Sequence, residues 1–204
     1  VVYGARQSLL GAVIAVAVGL VLGTLIGLIA GTQRGWVDTV LMRLVDVLLA
    51  IPGILLSLSI IIVTGFGSLQ AAFAVGMTSV ATFARLARSQ VIQIAGADFV
   101  EAAYGSGATQ TQVLFRHVLP NSLTPVLALA ALQFGTAILQ LSILGFLGYG
   151  APPPTPEWGL LIAEGRDFMA TAWWLILLPG LAIVATVMSA NHLSQVIQQE
   201  GDVK

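Results

Sequence analysis

The sequence predicts an all-α, polytopic membrane protein with five spans in 204 residues. Three observations carry that prediction. The residues AVILMFWYC make up 57% of the chain and charged residues only 8%, against about 25% charged in an average soluble domain. Such a surface must face lipid or other apolar protein. Five stretches reach the roughly 20 apolar residues that a helix needs to cross a hydrocarbon core about 30 Å thick. The few positive charges also gather on one set of connecting segments, as orientation in a bilayer requires.

The stretches are residues 8–30, 41–64, 70–94, 124–147 and 172–194, within a single domain over 1–204. The first is longer than a signal-peptide core and lacks a cleavage site. The chain begins with Val, so a native N-terminal segment is expected to be missing. In the first span Gly11, Ala15, Gly19, Gly23, Gly27 and Gly31 recur every four residues. Small residues let helix backbones approach closely where apolar side chains gain little by meeting each other. Four residues rotate the helix by about 400°, so the stripe drifts round and should touch more than one neighbour. It reads as a packing seam, with a backbone-lined pore as the alternative.

The second span contains "MRLVDVLLAIPG". Arg43 and Asp46 stand three apart on one helical face and can pair; Asp46 can instead meet Arg85 or Arg88 of the third span. Pro52-Gly53 falls inside the apolar run, where proline removes a ladder hydrogen bond and kinks the helix. That kink is either a gate hinge or a tolerated packing feature. In the third span Arg85 and Arg88 are expected near the membrane surface, where long side chains snorkel. Arg34, Arg43, Arg85, Arg88, Arg116 and Lys204 fall on one side and Arg6 and Arg166 on the other. This asymmetry places the first set in the cytoplasm and the segment 148–170 outside.

A polar insertion, "DFVEAAYGSGATQTQVLFRHVLPN" from Asp98 to Asn121, separates the third and fourth spans. Asp98 or its predecessor can cap a short helix, and Glu101 suits the positive end of the helix dipole. Gly105 and Gly107 offer a turn. "TQTQVLFRHV" reads as a second short helix, ended by Pro120. Its Val113, Leu114 and Val118 are more apolar than a free loop needs, and a partner surface would explain them.

This insertion resembles the EAA signature of permease subunits of binding-protein-dependent ABC importers. The signature is Glu101-Ala102-Ala103, then Gly107, then His117-Val118-Leu119-Pro120-Asn121. The "RHVLPN" ending is similar to the peptide/nickel branch, which includes the dipeptide and oligopeptide permeases of the C type. Further likenesses run in the same order along nearly the whole chain. They are "YGARQSLL" at Tyr3–Leu10, "GTQRGWVDTVLMRLVDVLLAIPG" at Gly31–Gly53, "FLGYG" at Phe146–Gly150, "PPPTPEWG" at Pro152–Gly159 and "LLPGLAIV" at Leu177–Val184. Three features depart from the family's pattern. Leu141 stands where relatives carry an acidic residue, Gly145 replaces a usual serine, and the C-terminus reads "NHLSQVIQQEGDVK".

The resemblance implies a type I ABC-importer-like transmembrane domain forming half of a translocation path, with one further N-terminal span. It implies a coupling helix that docks in a groove of a cytoplasmic ABC ATPase and transmits its closure to the spans. Glu101, Ala102, Ala103 and Gly107 would form the docking elbow; His117, Leu119, Pro120 and Asn121 would tie it to the following span. The implied partners are a second, related permease in a heterodimer, ATPase subunits, an external substrate-binding protein and the lipid of a bacterial-type inner membrane. Peptides are the cargo the resemblance implies, with nickel complexes, opines and glycosides as alternatives.

The residues support that division of labour. No G-x-x-x-x-G-K-[ST] phosphate loop is present, and the only lysine is Lys204. ATP and Mg are therefore expected on the partner ATPase, with no cofactor and no enzymatic activity in this chain. A net charge of −1 gives nucleic acid no basic patch to bind. The absence of cysteine excludes disulfides and thiolate metal sites. His117 and His192 are the only histidines, each expected far from carboxylates, so no metal site is assigned. "GSGA" at Gly105–Ala108 looks like a nucleophile turn but falls in the polar insertion.

In the external segment, Pro152, Pro153, Pro154 and Pro156 predict stiff, polyproline-like chain. Trp158, Trp173 and Trp174 suit a membrane–water boundary, and Glu157, Glu164 and Asp167 give an acidic cast. This segment is either an aromatic-anchored loop or the surface that meets a binding protein. Against the importer stand a self-contained channel or secondary transporter, and a scaffold without transport. The former class often places ionisable groups at the bilayer midplane, where these spans have almost none.

Overall fold

Helix α1 (Val2–Gln33) lies along α4 (Ser68–Ala95), and this pair is the spine of the protein. The computed structural model describes residues 1–33 and 35–202; Arg34 and Lys204, counted above among the cytoplasmic charges, lie outside them. A side chain on the glycine stripe of α1 would collide with α4. A Cβ on Gly23 would come 2.5 Å from Val80 O and from Phe83 Cβ, and one on Gly27 2.6 Å from Ala84 O. A Cβ on Gly31 would stand 2.7 Å from Val91 Cγ1, and one on Gly19 would strike Ser79 Oγ. Gly76 answers from α4, where a Cβ would fall 2.7 Å from Ala15 O. At the other end the stripe has rotated away, and a Cβ on Gly11 would stand 3.2 Å from Leu141 Cδ1 in the fourth span. Leu141 is buried in the main core with Ala12, Ala15, Val75, Ile138 and Leu144, which gives its apolar character a packing reason.

The second predicted span is two helices, α2 (Gly35–Ala50) and α3 (Gly53–Thr64), bent by 97°. The bend is far sharper than a proline kink, because the ladder stops at Ile51-Pro52 and restarts with Leu56 N donating to Pro52 O at 3.1 Å. α2 packs on α1 and α4 through Val45, Met42 and Leu48 against Ile26, Ala81 and Ala84. Asp46 pairs with Arg85 at 2.6 Å, so of the partners open to it the residue takes one from α4 and not Arg43. Asp38, which the sequence pattern did not single out, takes Arg88.

The fourth span is α7 (Leu119–Phe146) and the fifth α9 (Trp174–Asp202). They run against each other, with Ser194 Oγ donating to Ala128 O at 2.7 Å and Gly135 facing Val187 and Ala190. Between them come α8 (Trp158–Gly165) and a 3₁₀ turn (Arg166–Phe168). Among the described residues four helical stretches are long and apolar enough to cross a membrane, and the bent pair α2–α3 makes a fifth. Large apolar side chains such as Leu25, Val63, Leu181 and Met188 remain exposed along them, as lipid-facing surfaces require.

Two expectations for the 148–170 segment fail. The proline run is not extended; it turns, and Thr155 N donates to Pro152 O at 3.1 Å. Glu157 and Trp158 are buried rather than displayed to solvent or to an interface, each 3% exposed. The turn folds them inward, where Trp158 N donates to Ser8 Oγ and its Nε1 to Val1 O, both at 3.1 Å. Trp173 and Trp174 do remain exposed, edge to face with each other.

Candidate functional site

The polar insertion folds into two short helices, α5 (Asp98–Gly105) and α6 (Gln110–Val113), joined by a tight turn. Asp98 and Glu101 occupy the first turn of α5, where the free N–H groups and the dipole favour negative charge. The helix ends at Gly105, and Gly107 then takes φ +88°, a left-handed conformation that costs any residue with a Cβ. Ala108 N donates to Ala103 O at 3.1 Å and Gly107 N to Tyr104 O at 2.9 Å, which closes the turn on the carbonyls of α5.

Thr109 starts the second helix. Its Oγ1 accepts from Gln112 N at 3.4 Å, and Gln112 Oε1 accepts from Thr109 N at 2.9 Å. This is a reciprocal capping box. The T-x-x-Q spacing that signals it was present in the sequence and was missed.

From Leu114 to Val118 the backbone widens into a π turn, with Leu119 N donating to Leu114 O. The helix then runs without a stop into α7, so that 110–146 is continuous. Pro120 therefore does not end the second short helix as expected. It sits inside that continuous helix, just after the π turn, where its missing N–H removes one ladder bond. Asn121 Nδ2 donates to His117 O at 2.6 Å and Ser122 Oγ to Val118 O at 2.7 Å. These side chains serve carbonyls where the π register and the proline disturb the ladder.

Val113 and Val118 are not a partner surface. They are buried with Val91 and Val100, and Leu28, Ile94, Ala103, Ala108 and Leu114 pack against them. The insertion thus has a small core of its own, fixed to the ends of α1 and α4. What it displays instead is Glu101 and Ala102, with Phe99, Tyr104, Phe115 and Arg116. Of the remaining residues singled out, Gly107 and Pro120 are exposed, and Ala103, His117 and Leu119 half-buried. His117 stands with its ring 6.3 Å from that of Phe99. A hollow of about 460 Å³ lies on this side, lined by Ala108, Gln112, Phe115, Arg116 and His117. The structure brings Glu101–Gly107 and His117–Asn121 into one unit through the valine core. The glycine stripe lies apart from it along the spine.

Among the described residues no three His, Cys, Asp or Glu side chains are grouped to hold a metal ion. On the opposite side, the carboxyl of Glu157 accepts from Ala151 N at 2.9 Å and lies against Gly145 and Gly150. Burial pushes its pKa above the ordinary 4.5, and the Ala151 hydrogen bond only partly opposes this. The Gly145 departure leaves the space that this carboxyl borders.

Comparison with known proteins agrees with this architecture. Over 96% of this chain and 95% of the other, the fold matches a chain of the MetNI methionine ABC transporter, solved in an inward-facing conformation, with TM-score 0.74 and 18% identity. It also matches a chain of an amino acid ABC transporter solved with histidines, with TM-score 0.67 and 17% identity over 99% and 91% of the two chains. In sequence, the whole chain is 41% identical to the dipeptide transport system permease protein DppC of Alkalihalophilus pseudofirmus, of which it spans 67%. It is 37% identical to the glutathione transport system permease protein GsiD of Pectobacterium atrosepticum, spanning 68% of that protein. Residues 23–199 match the model of the binding-protein-dependent transport system inner membrane component. On fold, order of motifs and sequence together, the chain belongs to that family of ABC-importer permease subunits.

Proposed function

We propose that this permease forms half of the translocation path of an ATP-driven peptide importer and is driven through the Asp98–Asn121 elbow by a separate ATPase. The observation that carries this reading is the construction of the elbow. Its valines are spent on an internal core tied to α1 and α4, while Glu101, Ala102 and Phe115 stay exposed. A rigid, displayed element of this kind transmits a push; a flexible loop would absorb it. ATP and Mg bind the partner, whose closure moves the elbow and with it the helices continuous with it.

The elbow faces the cytoplasm of a bacterial-type inner membrane, and α8 with the 148–170 segment faces the external binding protein. A related but distinct permease supplies the other half of the path. Relatives named for dipeptide and glutathione transport support peptide cargo.

The test is affinity purification of the tagged chain from mild detergent, with mass spectrometry of its partners, beside a Glu101→Arg, Gly107→Trp double variant. A P-loop ATPase retained by the wild type and lost from the folded variant is the expected result. Absence of an ATPase from the wild type, where a reference ABC importer stays intact, would favour a self-contained channel or carrier.

A further inference from the structure

Where α2 breaks from α3, a cavity of about 250 Å³ opens between that break, α4 and α7. Water's share of liquid volume is about 30 Å³, so the space is on the order of eight waters. Two polar stripes line it. Thr78 and Thr82 stand four apart on α4, with Ser79 beside them; Gln133, Thr136 and Gln140 stand at i, i+3 and i+7 on α7. Each set therefore shares one helical face. None of the residues lining the cavity is ionisable.

The amides are only lightly used by the protein. Thr78 Oγ1 lies 2.7 Å from Val75 O and 3.4 Å from Gln140 Oε1, and its single proton goes to the closer carbonyl. Gln140 Nε2 points at Gly53, where a Cβ would stand 3.3 Å away. Among the described residues neither that group nor the Gln133 side chain makes a hydrogen bond. Charges begin where the cavity ends, since the α4 face continues to Arg85, paired with Asp46 of α2.

We infer that this cavity is a binding station for an uncharged, amide-bearing segment of the cargo, held chiefly by Gln140 and Gln133. A carboxamide presents a donor and an acceptor together, matching the N–H and C=O of a peptide group. An ionised group placed here would lose its hydration and find no counter-charge. A purely apolar solute would leave the amides without partners. The station thus favours neutral polar cargo and reads its backbone rather than its charged ends. This inference rests on the importer reading above and adds what the path selects.

The experiment is uptake into proteoliposomes holding the assembled importer with its own ATPase, partner permease and binding protein. The probes are dialanine, glutathione and the ester isostere of dialanine, which lacks the amide N–H. Gln140→Leu should lower dialanine uptake about three- to tenfold, the loss expected for one hydrogen bond to a neutral group. It should also narrow the preference for dialanine over the ester. Because the binding protein is common to both preparations, its own preference cancels from that comparison. Gln140→Asn should keep part of the preference. If Gln140→Leu fails to assemble with the ATPase, Gln133→Leu decides, with the same loss expected. Unchanged uptake and unchanged amide preference in the assembled leucine variants would overturn this inference alone. A wild-type complex that takes up neither peptide would overturn the cargo reading and this inference with it.

Discussion

Arg88 of α4 holds Asp38 of α2 by two hydrogen bonds, Nε to Oδ1 at 2.5 Å and Nη2 to Oδ2 at 2.6 Å. Three residues earlier on α4, Arg85 reaches Asp46. The two pairs differ in consequence. The Arg85–Asp46 side chains are about as exposed as surface pairs, 59% and 60%, whereas Arg88 and Asp38 are 33% and 16% exposed. Solvent screens the first pair and much less the second. The planar guanidinium also matches a carboxylate as no ammonium does.

Arg88→Lys should therefore lower stability by about 1–2 kcal/mol through loss of the paired geometry. Arg85→Lys should change it by less than about 0.5 kcal/mol. Thermal unfolding in detergent measures both. The charge swap Asp38→Arg, Arg88→Asp should recover part of what either single change loses.

The α1–α4 seam predicts a contrast between glycines. Gly27→Ala puts a Cβ against Ala84 O and Ala87 Cβ, neither of which can move without its helix. Overpacking of this kind costs about 1–3 kcal/mol. Gly180→Ala, in α9 with nothing within 4 Å, should be neutral or stabilising by up to about 1 kcal/mol. Equal melting shifts for the two would contradict the seam.

Glu157 makes stability depend on pH. Burial raises its folded pKa above the ordinary 4.5, so the folded state binds more protons than the unfolded chain between those two values. This contribution is fully present below about pH 4.5 and is lost as pH rises through the folded pKa. Glu157→Gln keeps an acceptor for Ala151 N and removes the titration. The variant should be at least as stable as wild type at pH 7, with a flatter melting temperature profile between about pH 4.5 and 7. A profile as steep as wild type would place the titration elsewhere.

The elbow's second helix depends on the residue that caps it. Thr109→Ala removes the hydroxyl half of the capping box, at a cost of about 1 kcal/mol. Hydrogen exchange should quicken in α6 and the following π turn while α1 and α4 keep their protection. Thr109→Ser should restore the wild-type rates.

Composition and apolar run length were enough to specify an all-helical membrane protein, because both measure what lipid will solvate. Spacing set the glycines of α1 in one slowly turning stripe, and the order of motifs carried the family. The start of α6 stands in the sequence as T-x-x-Q, a signal that went unread until the structure showed the cap. Other features depend on what lies across the fold, which no local pattern contains. Sequence left Asp46 a choice of arginines, and the placement of α4 beside α2 decided it. A proline marked the break at residues 51–53, but the 97° turn was set in the fold, where α3 packs on α4. Val113 and Val118 looked like partner surface until Val91 and Val100 came up beneath them. Glu157 and Trp158 looked external until Ser8, Val1 and Ala151 supplied their hydrogen-bond partners. The sequence by itself determined which segments must leave water, since that is a sum over neighbouring residues. Tertiary structure alone decided which polar groups are buried with partners, since those partners lie as many as 157 residues away.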